Sequence, residues 1–305
     1  MKASDSQLSF FDFTFDHKEI PEFFEFQLSE TANEKKETLN KASPLENPCP
    51  YKIPTVDEII KFMDSAPYRI NKSQFISDVL ECGAIAISNT VDFTVKDERE
   101  ERYLEIINKY EPKEREMLAE TFGKIYALLA SVVYDNGSFN DYLGEIFMRC
   151  NQGNKNTGQF FTPYHISHFM AEIAICDDKE KLTNALESDD ILTLCDPCSG
   201  GGGMMVAALD VLKNEYNVNY ARNCFIECSD IDIRCVHMTY LQLALAGVPA
   251  IVKHQNSLSR EVWSVWKTPA FIFQSCIIKH SAKSVPLPTP KRPALIFFII
   301  ISLKI

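Results

Sequence analysis

Residues 191–206 read ILTLCDPCSGGGGMMV, and the fold of the chain is decided here. An apolar run typical of a buried strand, residues 191–194, leads to Asp196 and a proline. Four glycines follow, Gly200 to Gly203, and then an apolar segment that can begin a helix. Glycine accepts positive φ angles and lets a ligand approach the backbone closely, and a helix N-terminus offers unpaired N–H groups and partial positive charge. The pattern predicts a strand, a tight loop and a helix that hold the polar part of a nucleotide-like ligand.

The residues after the glycines limit the kind of ligand. A phosphate-binding P-loop needs a Gly-Lys-Ser/Thr ending, whereas Gly203 is followed by Met204 and Met205. A dinucleotide-binding GxGxxG pattern can be placed on the four glycines, but that pattern alone has little specificity. A second motif, GQFFTP at residues 158–163, precedes the loop and further limits the kind of ligand that the loop can bind.

The two motifs in this order resemble the S-adenosylmethionine-dependent N6-adenine DNA methyltransferases, in particular the modification subunits of type I restriction systems. The stretch DYLGEIFM, residues 141–148, resembles the segment that precedes GQFFTP in this family, although its apolar residues are interpreted as helix core. The resemblance covers roughly residues 140–266. It implies an α/β, Rossmann-like methyltransferase domain with an incomplete C-terminal half, preceded by an α-helical domain. It also implies S-adenosylmethionine as cofactor and adenine-N6 methylation of DNA in the cytoplasm, with a specificity subunit as partner.

The resemblance also implies the residues that bind the cofactor. Thr162 supplies a hydroxyl to the methionine end of the cofactor, and Pro163 suits the first turn of a helix. Asp230 ends the second strand, where such folds hold ribose hydroxyls, and Asp232 is the alternative for this role. Either residue could instead be the N-cap of the helix that follows. Asn256, at the end of the third strand, contacts the adenine ring. The full predicted set is Gln159, Phe160, Thr162, Pro163, Asp196, Pro197, Ser199, Gly200, Gly201, Gly202, Asp230, Asp232 and Asn256.

One motif of the family is absent from the sequence. The family places (Asn/Asp/Ser)-Pro-Pro-(Tyr/Phe) at the end of the fourth strand, where it binds the flipped adenine. The nearest string here is Thr268-Pro269-Ala270-Phe271, which keeps one proline and the aromatic residue but lacks the amide and the second proline. The absence favours a second class of function: a catalytically inactive, cofactor-binding module that serves as an interaction or regulatory component on a mobile element.

Composition sets further bounds. The 305 residues carry a net charge of −11, which argues against unaided, non-specific binding to DNA phosphates. Ten cysteines at irregular spacing, without a secretory signal, are typical of reduced thiols. Cys195 and Cys198 have the spacing of half a zinc site, but no second pair completes it, so no metal is expected.

The chain is predicted to have four parts. Residues 1–54 form a flexible leader, residues 55–150 a helical domain with apolar residues at helical spacing, and residues 151–272 the cofactor-binding domain. Residues 273–305 form an atypical basic and apolar tail, which has the composition expected of a frameshifted or divergent end. Its apolar run is shorter than the about 20 residues that span a bilayer, so no membrane contact is expected.

A short peptide in the leader suggests one further partner. Residues Gln7-Leu8-Ser9-Phe10-Phe11 resemble the peptide by which bacterial replication and repair proteins bind the sliding clamp, with a glutamine and apolar anchors in a groove. A five-residue match arises easily by chance, so packing on the protein's own surface is the favoured interpretation.

Overall fold

The computed structural model describes residues 52–67, 69–134, 138–151, 161–176, 182, 191–281 and 295–298. The chain divides into two compact units, Met1–Ile53 and Pro54–Ile305. The possible clamp peptide, Gln7–Phe11, and the predicted cofactor-binding residues Gln159 and Phe160 lie outside the described residues. Those three interpretations therefore stay predictions.

In the described part of the chain, five helices precede the GQFFTP motif within one compact unit: α1 (Val56–Met63), α2 (Lys72–Asn89), α3 (Lys96–Ile107), α4 (Pro112–Tyr134) and α5 (Tyr142–Asn151). Thr55 begins α1 through a capping box, in which its hydroxyl accepts from the Glu58 N–H and the Glu58 carboxylate accepts from the Thr55 N–H. Helix α2 is buried along most of its length, and its apolar side chains form the core of this region. The predicted helical region before the sheet is confirmed.

Five strands form one sheet: β1 (Leu192–Asp196), β2 (Cys224–Asp230), β3 (Ala250–Asn256), β4 (Glu261–Lys267) and β5 (Leu295–Phe298). Their order is β4-β3-β2-β1-β5. The pairs formed by β1, β2, β3 and β5 are parallel, whereas β4 runs antiparallel to β3 with an irregularity between His254 and Gln255. The prediction that the strand before the glycines lies inside a parallel sheet, beside the strand ending in Asp230, is confirmed.

Five more helices belong to this sheet: α6 (Tyr164–Cys176), α7 (Gly203–Asn214), α8 (Tyr220–Asn223), α9 (Ile233–Leu245) and α10 (Pro269–Ser281). Most side chains of α7 and α9 are buried, because α7 packs against α6, and α9 lies between the sheet and α2. No helix in the described part of the chain is both long and apolar enough to cross a bilayer.

A buried cation joins the N-terminal helices to the edge of the sheet. The guanidinium of Arg99, in α3, lies 3.7 Å from the ring centroid of Trp266 in β4. It also donates to the Val265 carbonyl at 2.9 Å and to the hydroxyl of Ser88. Arg99 is only 8% exposed and Trp266 5%, so stacking and hydrogen bonding compensate a charge that has lost most of its water.

Replacing Arg99 with alanine should lower the free energy of unfolding by about 2–4 kcal/mol, because the stacked ring and two buried acceptors lose their partner. Urea unfolding followed by circular dichroism measures the change. Arg102→Ala is the matched control in the same helix, since Arg102 forms a half-exposed salt bridge with Glu81 and should cost less than about 1 kcal/mol. Equal losses in the two variants would contradict the role given to Arg99.

Candidate functional site

The candidate site lies at the edge where the parallel strands β1, β2 and β3 end. Asp196, Asp230 and Asn256 are the last residues of these strands. The register pairs Asp196 with Cys228 and Asp230 with His254, so all three strands finish close together. The carboxyl edge of such a sheet, beside a glycine-rich first loop, is where doubly wound folds bind nucleotides.

The glycine loop after β1 has a backbone that only glycine adopts easily. Gly200 has φ +54° and Gly202, the N-cap of α7, has φ +90°, both in the left-handed region. The Ser199 N–H donates to the Ser229 carbonyl at 3.0 Å, and the Gly202 N–H donates to the Ser199 carbonyl at 2.8 Å. The loop is thus a tight turn fixed to the end of β2, as its sequence predicts.

Asp230 connects β2 to this loop. Its carboxylate accepts from the Gly200 N–H at 2.9 Å and from the Asp232 N–H at 2.8 Å. Burial raises the pKa of Asp230, while these backbone N–H groups act in the opposite direction. A carboxylate held rigidly against the glycine loop is well placed for polar contact with a ligand bound there.

Asp232, the alternative to Asp230, has a structural role instead. It is the N-cap of α9, where its side chain accepts from the Arg234 N–H at 2.9 Å and forms an ion pair with the Arg234 guanidinium at 2.6 Å. The N-cap interpretation therefore applies to Asp232. Asn256 also caps a turn, because its side-chain oxygen accepts from the Leu258 and Ser259 N–H groups between β3 and β4.

Two polar residues of α9 donate hydrogen bonds to the glycine loop, and no sequence motif predicts either contact. The Thr239 hydroxyl donates to the Gly200 carbonyl at 2.9 Å. One turn later, the Gln242 side-chain amide donates to the Gly201 carbonyl at 2.7 Å and to the Asp141 carboxylate at 2.9 Å. Both residues are buried, which a polar residue in an apolar helix does not reveal by itself.

Asp141 joins the N-terminal helices to the glycine loop. Its carboxylate accepts from the Gly144 N–H at 3.0 Å, at the start of α5. A Cβ added to Gly144 would lie 2.1 Å from an Asp141 oxygen, and one added to Gly203 would lie 2.6 Å from it. The fourth glycine of the loop is therefore needed for the close approach of Asp141. The stretch DYLGEIFM contains this residue, so interpreting the stretch as core alone missed a polar contact to the site.

A cavity of about 210 Å³ lies beside Asp141. Thr162 and Pro163 line it, as does the carboxylate-bearing Glu145, so the second sequence motif and the helix α5 meet at one place. Two acidic side chains make the cavity suitable for a cationic group. Its described lining consists of Asn140, Asp141, Gly144, Glu145, Met148, Phe161, Thr162, Pro163 and Tyr164.

The string Thr268-Pro269-Ala270-Phe271, which is nearest to the missing catalytic motif, lies away from the glycine loop. The Thr268 hydroxyl is fully buried, donates to the Val248 carbonyl at 2.6 Å and accepts from the Ala250 N–H at 2.9 Å. Pro269 begins α10, and the Phe271 ring packs on Phe225, near the start of β2. These residues are at the amino end of β3, which at about 3.3 Å per residue puts them about 20 Å from Asn256. Thr268, Pro269 and Phe271 thus lie at the opposite end of β3 from Asn256, and a catalytic role for them stays a prediction.

The topology and the site together define a Rossmann-like fold of the class I S-adenosylmethionine-dependent methyltransferase type. Residues 139–273 match a family model described as N-6 DNA Methylase. The family matched by this part of the chain is the one that the two motifs predict. None of the curated proteins matches the chain.

Three solved structures are similar to the chain. One is a class I S-adenosylmethionine-dependent methyltransferase from Listeria monocytogenes, with 16% identity, 61% of this chain and 54% of that chain covered, and a TM-score of 0.32. Another is a type I restriction-modification methyltransferase subunit from Streptococcus thermophilus, with 16% identity, coverages of 70% and 42%, and a TM-score of 0.36. The third is a DrdV–DNA complex, with 18% identity, coverages of 63% and 20%, and a TM-score of 0.35. The matches thus span between about a fifth and about half of those chains.

Gly202→Ala should lower the free energy of unfolding by about 1–3 kcal/mol, because the new Cβ meets a positive φ and lies 3.1 Å from the Thr239 hydroxyl oxygen. Chemical denaturation measures this change. Gly201→Ala is the matched control, since its Cβ would make only ordinary contacts at 3.7 Å or more and should change stability by less than about 0.5 kcal/mol. A Gly202→Ala protein as stable as the control would contradict the conformational argument.

Asp196 should make stability depend on pH. It is 6% exposed, and burial, with Asp230 nearby, raises its pKa to about 6. Because the usual value is near 4, the folded protein holds this proton more tightly than the unfolded chain. Raising the pH through this range should therefore remove about 2–3 kcal/mol of stability.

The variant Asp196→Asn lacks this titration and keeps an oxygen for the Cys198 N–H. The free energy of unfolding of the parent minus that of Asp196→Asn should fall by about 2–3 kcal/mol between pH 4 and pH 7. Urea unfolding at intermediate pH values measures the difference, in which groups shared by both proteins cancel. A difference that stays constant with pH would refute the raised pKa.

Proposed function

We propose that this chain is the S-adenosylmethionine-binding module of a DNA adenine-N6 methyltransferase. The observation that carries the proposal is the hydrogen bond between the Asp230 carboxylate and the Gly200 N–H. It joins the acid at the end of the second strand to the glycine loop after the first. The match of residues 139–273 to the N-6 DNA methylase family supports the same function.

The residues fit the proposed cofactor. Gly200 and Gly202 provide a backbone that is open to a ligand, and Asp230 is suited to ribose hydroxyls. The cavity beside Asp141 and Glu145 offers carboxylates to the ammonium group of the methionine part, with the Thr162 hydroxyl at the same place. When bound, S-adenosylmethionine supplies an electrophilic methyl group on a sulfonium. The loop, Asp230 and the cavity would bind and orient it.

The chemistry on adenine needs more than this module provides. An adenine amine becomes reactive when it is taken out of the base stack and its protons are held by acceptors beside the methyl donor. The sequence contains no Asn/Asp/Ser-Pro-Pro-aromatic motif to supply them, and Thr268 is bound to the amino end of β3. Access to DNA would come through a partner such as a specificity subunit, since the net charge of −11 gives the chain no general attraction for phosphates.

A second candidate function follows from the position of Thr268 at the amino end of β3 and from the absence of the catalytic motif. A module that binds the cofactor without transferring the methyl group would act as an interaction or regulatory component. Both candidates need the cofactor site, and they differ only in whether methyl groups reach DNA.

Isothermal titration calorimetry tests the shared part of the two candidates. The folded parent should bind S-adenosylmethionine, and Asp230→Ala should bind it at least about tenfold more weakly, because one charged hydrogen-bond partner is worth about 1.5–3 kcal/mol. Asp232→Asn keeps the N-cap of α9 and serves as the control, with affinity within about twofold of the parent. A folded parent that does not bind, or Asp230→Ala binding like the parent, would contradict the proposed site.

Methyl transfer separates the two candidates. With tritiated S-adenosylmethionine and double-stranded DNA, the isolated chain should transfer no more label than Asp230→Ala. Label that appears at adenine N6 above this control would exclude the inactive module and would require an acceptor group that the motif search does not reveal. Label that appears only after a specificity subunit is added would support the methyltransferase module. Absence of label with and without this subunit, while calorimetry shows cofactor binding, would support the inactive module.

A further inference from the structure

A second cluster of functional side chains lies on α6 and α7, away from the cofactor-binding residues. His168 and Glu172 are four residues apart on α6, and the His168 Nδ1 lies 3.0 Å from the Glu172 Oε1. Glu215, the C-cap residue of α7, faces them. One imidazole nitrogen and two carboxylate oxygens of these residues all lie within 4.8 Å of one another.

The opposite nitrogen of the imidazole is held by a buried carboxylate. The His168 Nε2 lies 3.3 Å from the Asp210 Oδ2, and Asp210 is 8% exposed. Tyr164 donates to Asp210 at 2.9 Å and Asn214 donates to it at 2.5 Å, so the carboxylate has a fixed position. The two ring nitrogens therefore face different carboxylates, Nδ1 that of Glu172 and Nε2 that of Asp210. Histidines that bind metals commonly have such a carboxylate on their other nitrogen.

Among the described residues, no lysine or arginine balances the charges of the cluster. The ion pairs of Glu172 and Asp210 are both with His168, and Glu215 forms none with another described residue. Asp210 adds a third carboxylate, whose neighbours Tyr164 and Asn214 are neutral. Three carboxylates around one imidazole repel one another, and a divalent cation would remove that repulsion.

We propose that His168, Glu172 and Glu215 form a binding site for a divalent transition-metal ion of the zinc type. An imidazole ligand favours such ions over Mg²⁺ or Ca²⁺, which prefer oxygen ligands alone. Zinc–nitrogen and zinc–oxygen bonds of about 2.0–2.2 Å put two ligands on one metal about 3.4 Å apart in a tetrahedral site. A rotation of the exposed Glu215 side chain closes the remaining gap, and a water molecule completes the coordination.

The site would connect two helices that begin at the cofactor-binding region. Helix α6 follows Thr162 and Pro163, and α7 begins at Gly203. The contacts of Tyr164 and His168 with Asp210, and the approach of Glu172 to Glu215, show that the two helices run in the same direction. A metal near their far ends would therefore stabilise the arrangement that places the two motifs together.

Metal titration of the full chain tests the proposal. Calorimetry with Zn²⁺ should show one site, and Glu215→Gln should weaken binding at least tenfold. The fold should be unchanged, because Glu215 forms no ion pair with another described residue. Glu116→Gln, an exposed glutamate on α4, is the matched control and should bind like the parent. Zn²⁺ should also raise the thermal midpoint of the parent and of the control but not of Glu215→Gln. Mg²⁺ at the same concentration should produce neither effect.

Co²⁺ spectroscopy identifies the ligands, since the chain has exposed thiols at Cys176 and Cys198 that also bind soft metals. The parent should give a Co²⁺ spectrum of nitrogen and oxygen ligation that is lost in His168→Ala and retained in Cys176→Ser. Sulfur-to-cobalt charge transfer, or Zn²⁺ binding that is unchanged in Glu215→Gln, would overturn the site. Failure of this test would leave cofactor binding untouched, because the two sites share no residue.

Discussion

The side-chain amide of Gln242 is the contact on which the candidate site depends most. It donates at once to the Gly201 carbonyl and to the Asp141 carboxylate, so a single group joins α9, the glycine loop and the start of α5. These contacts are buried, where a hydrogen bond is electrostatically stronger than in water and a missing partner is costly. The loop is consequently fixed from three directions: by Gln242 from α9, by Asp141 from α5, and by Asp230 from the end of β2.

This arrangement explains why the N-terminal helices matter to a site formed by the sheet. Asp141 fits only because Gly144 and Gly203 have no side chains, so α5 and α7 approach each other at their first turns. A carboxylate at the N-termini of two helices is favoured by both dipoles, although burial raises the pKa of Asp141. The cavity next to it takes its acidic character from α5 and its hydroxyl from Thr162. The helical region therefore contributes side chains to the candidate site.

The sequence predicted the parts of the site that have a local signal. A strand, an acid and consecutive glycines are contiguous in the chain, and their backbone geometry follows from the properties of glycine. The roles of Thr239 and Gln242 depend on how α9 packs against the loop, which no local pattern encodes. The resemblance assigned the ribose role to Asp230 with Asp232 as the alternative, since each is an acid after an apolar strand. Only the hydrogen bonds of the two residues, one to the loop and the other to the N-terminus of α9, distinguish them.

The sheet topology bears on whether the module can act on DNA. In the related methyltransferases the catalytic motif follows the fourth strand, and in this chain β4 instead runs antiparallel to β3 and returns toward the amino edge of the sheet. On the side of β1 away from β2 lies β5, which is parallel to β1. Phe298, the last residue of β5, pairs with Cys195, so β5 ends at the carboxyl edge of the sheet. The position beside β1 is thus occupied by a strand that runs in the same direction as β1. Thr268 and Phe271, in contrast, lie at the opposite edge of the sheet from the glycine loop, because Thr268 bonds to Ala250 and Phe271 packs on Phe225.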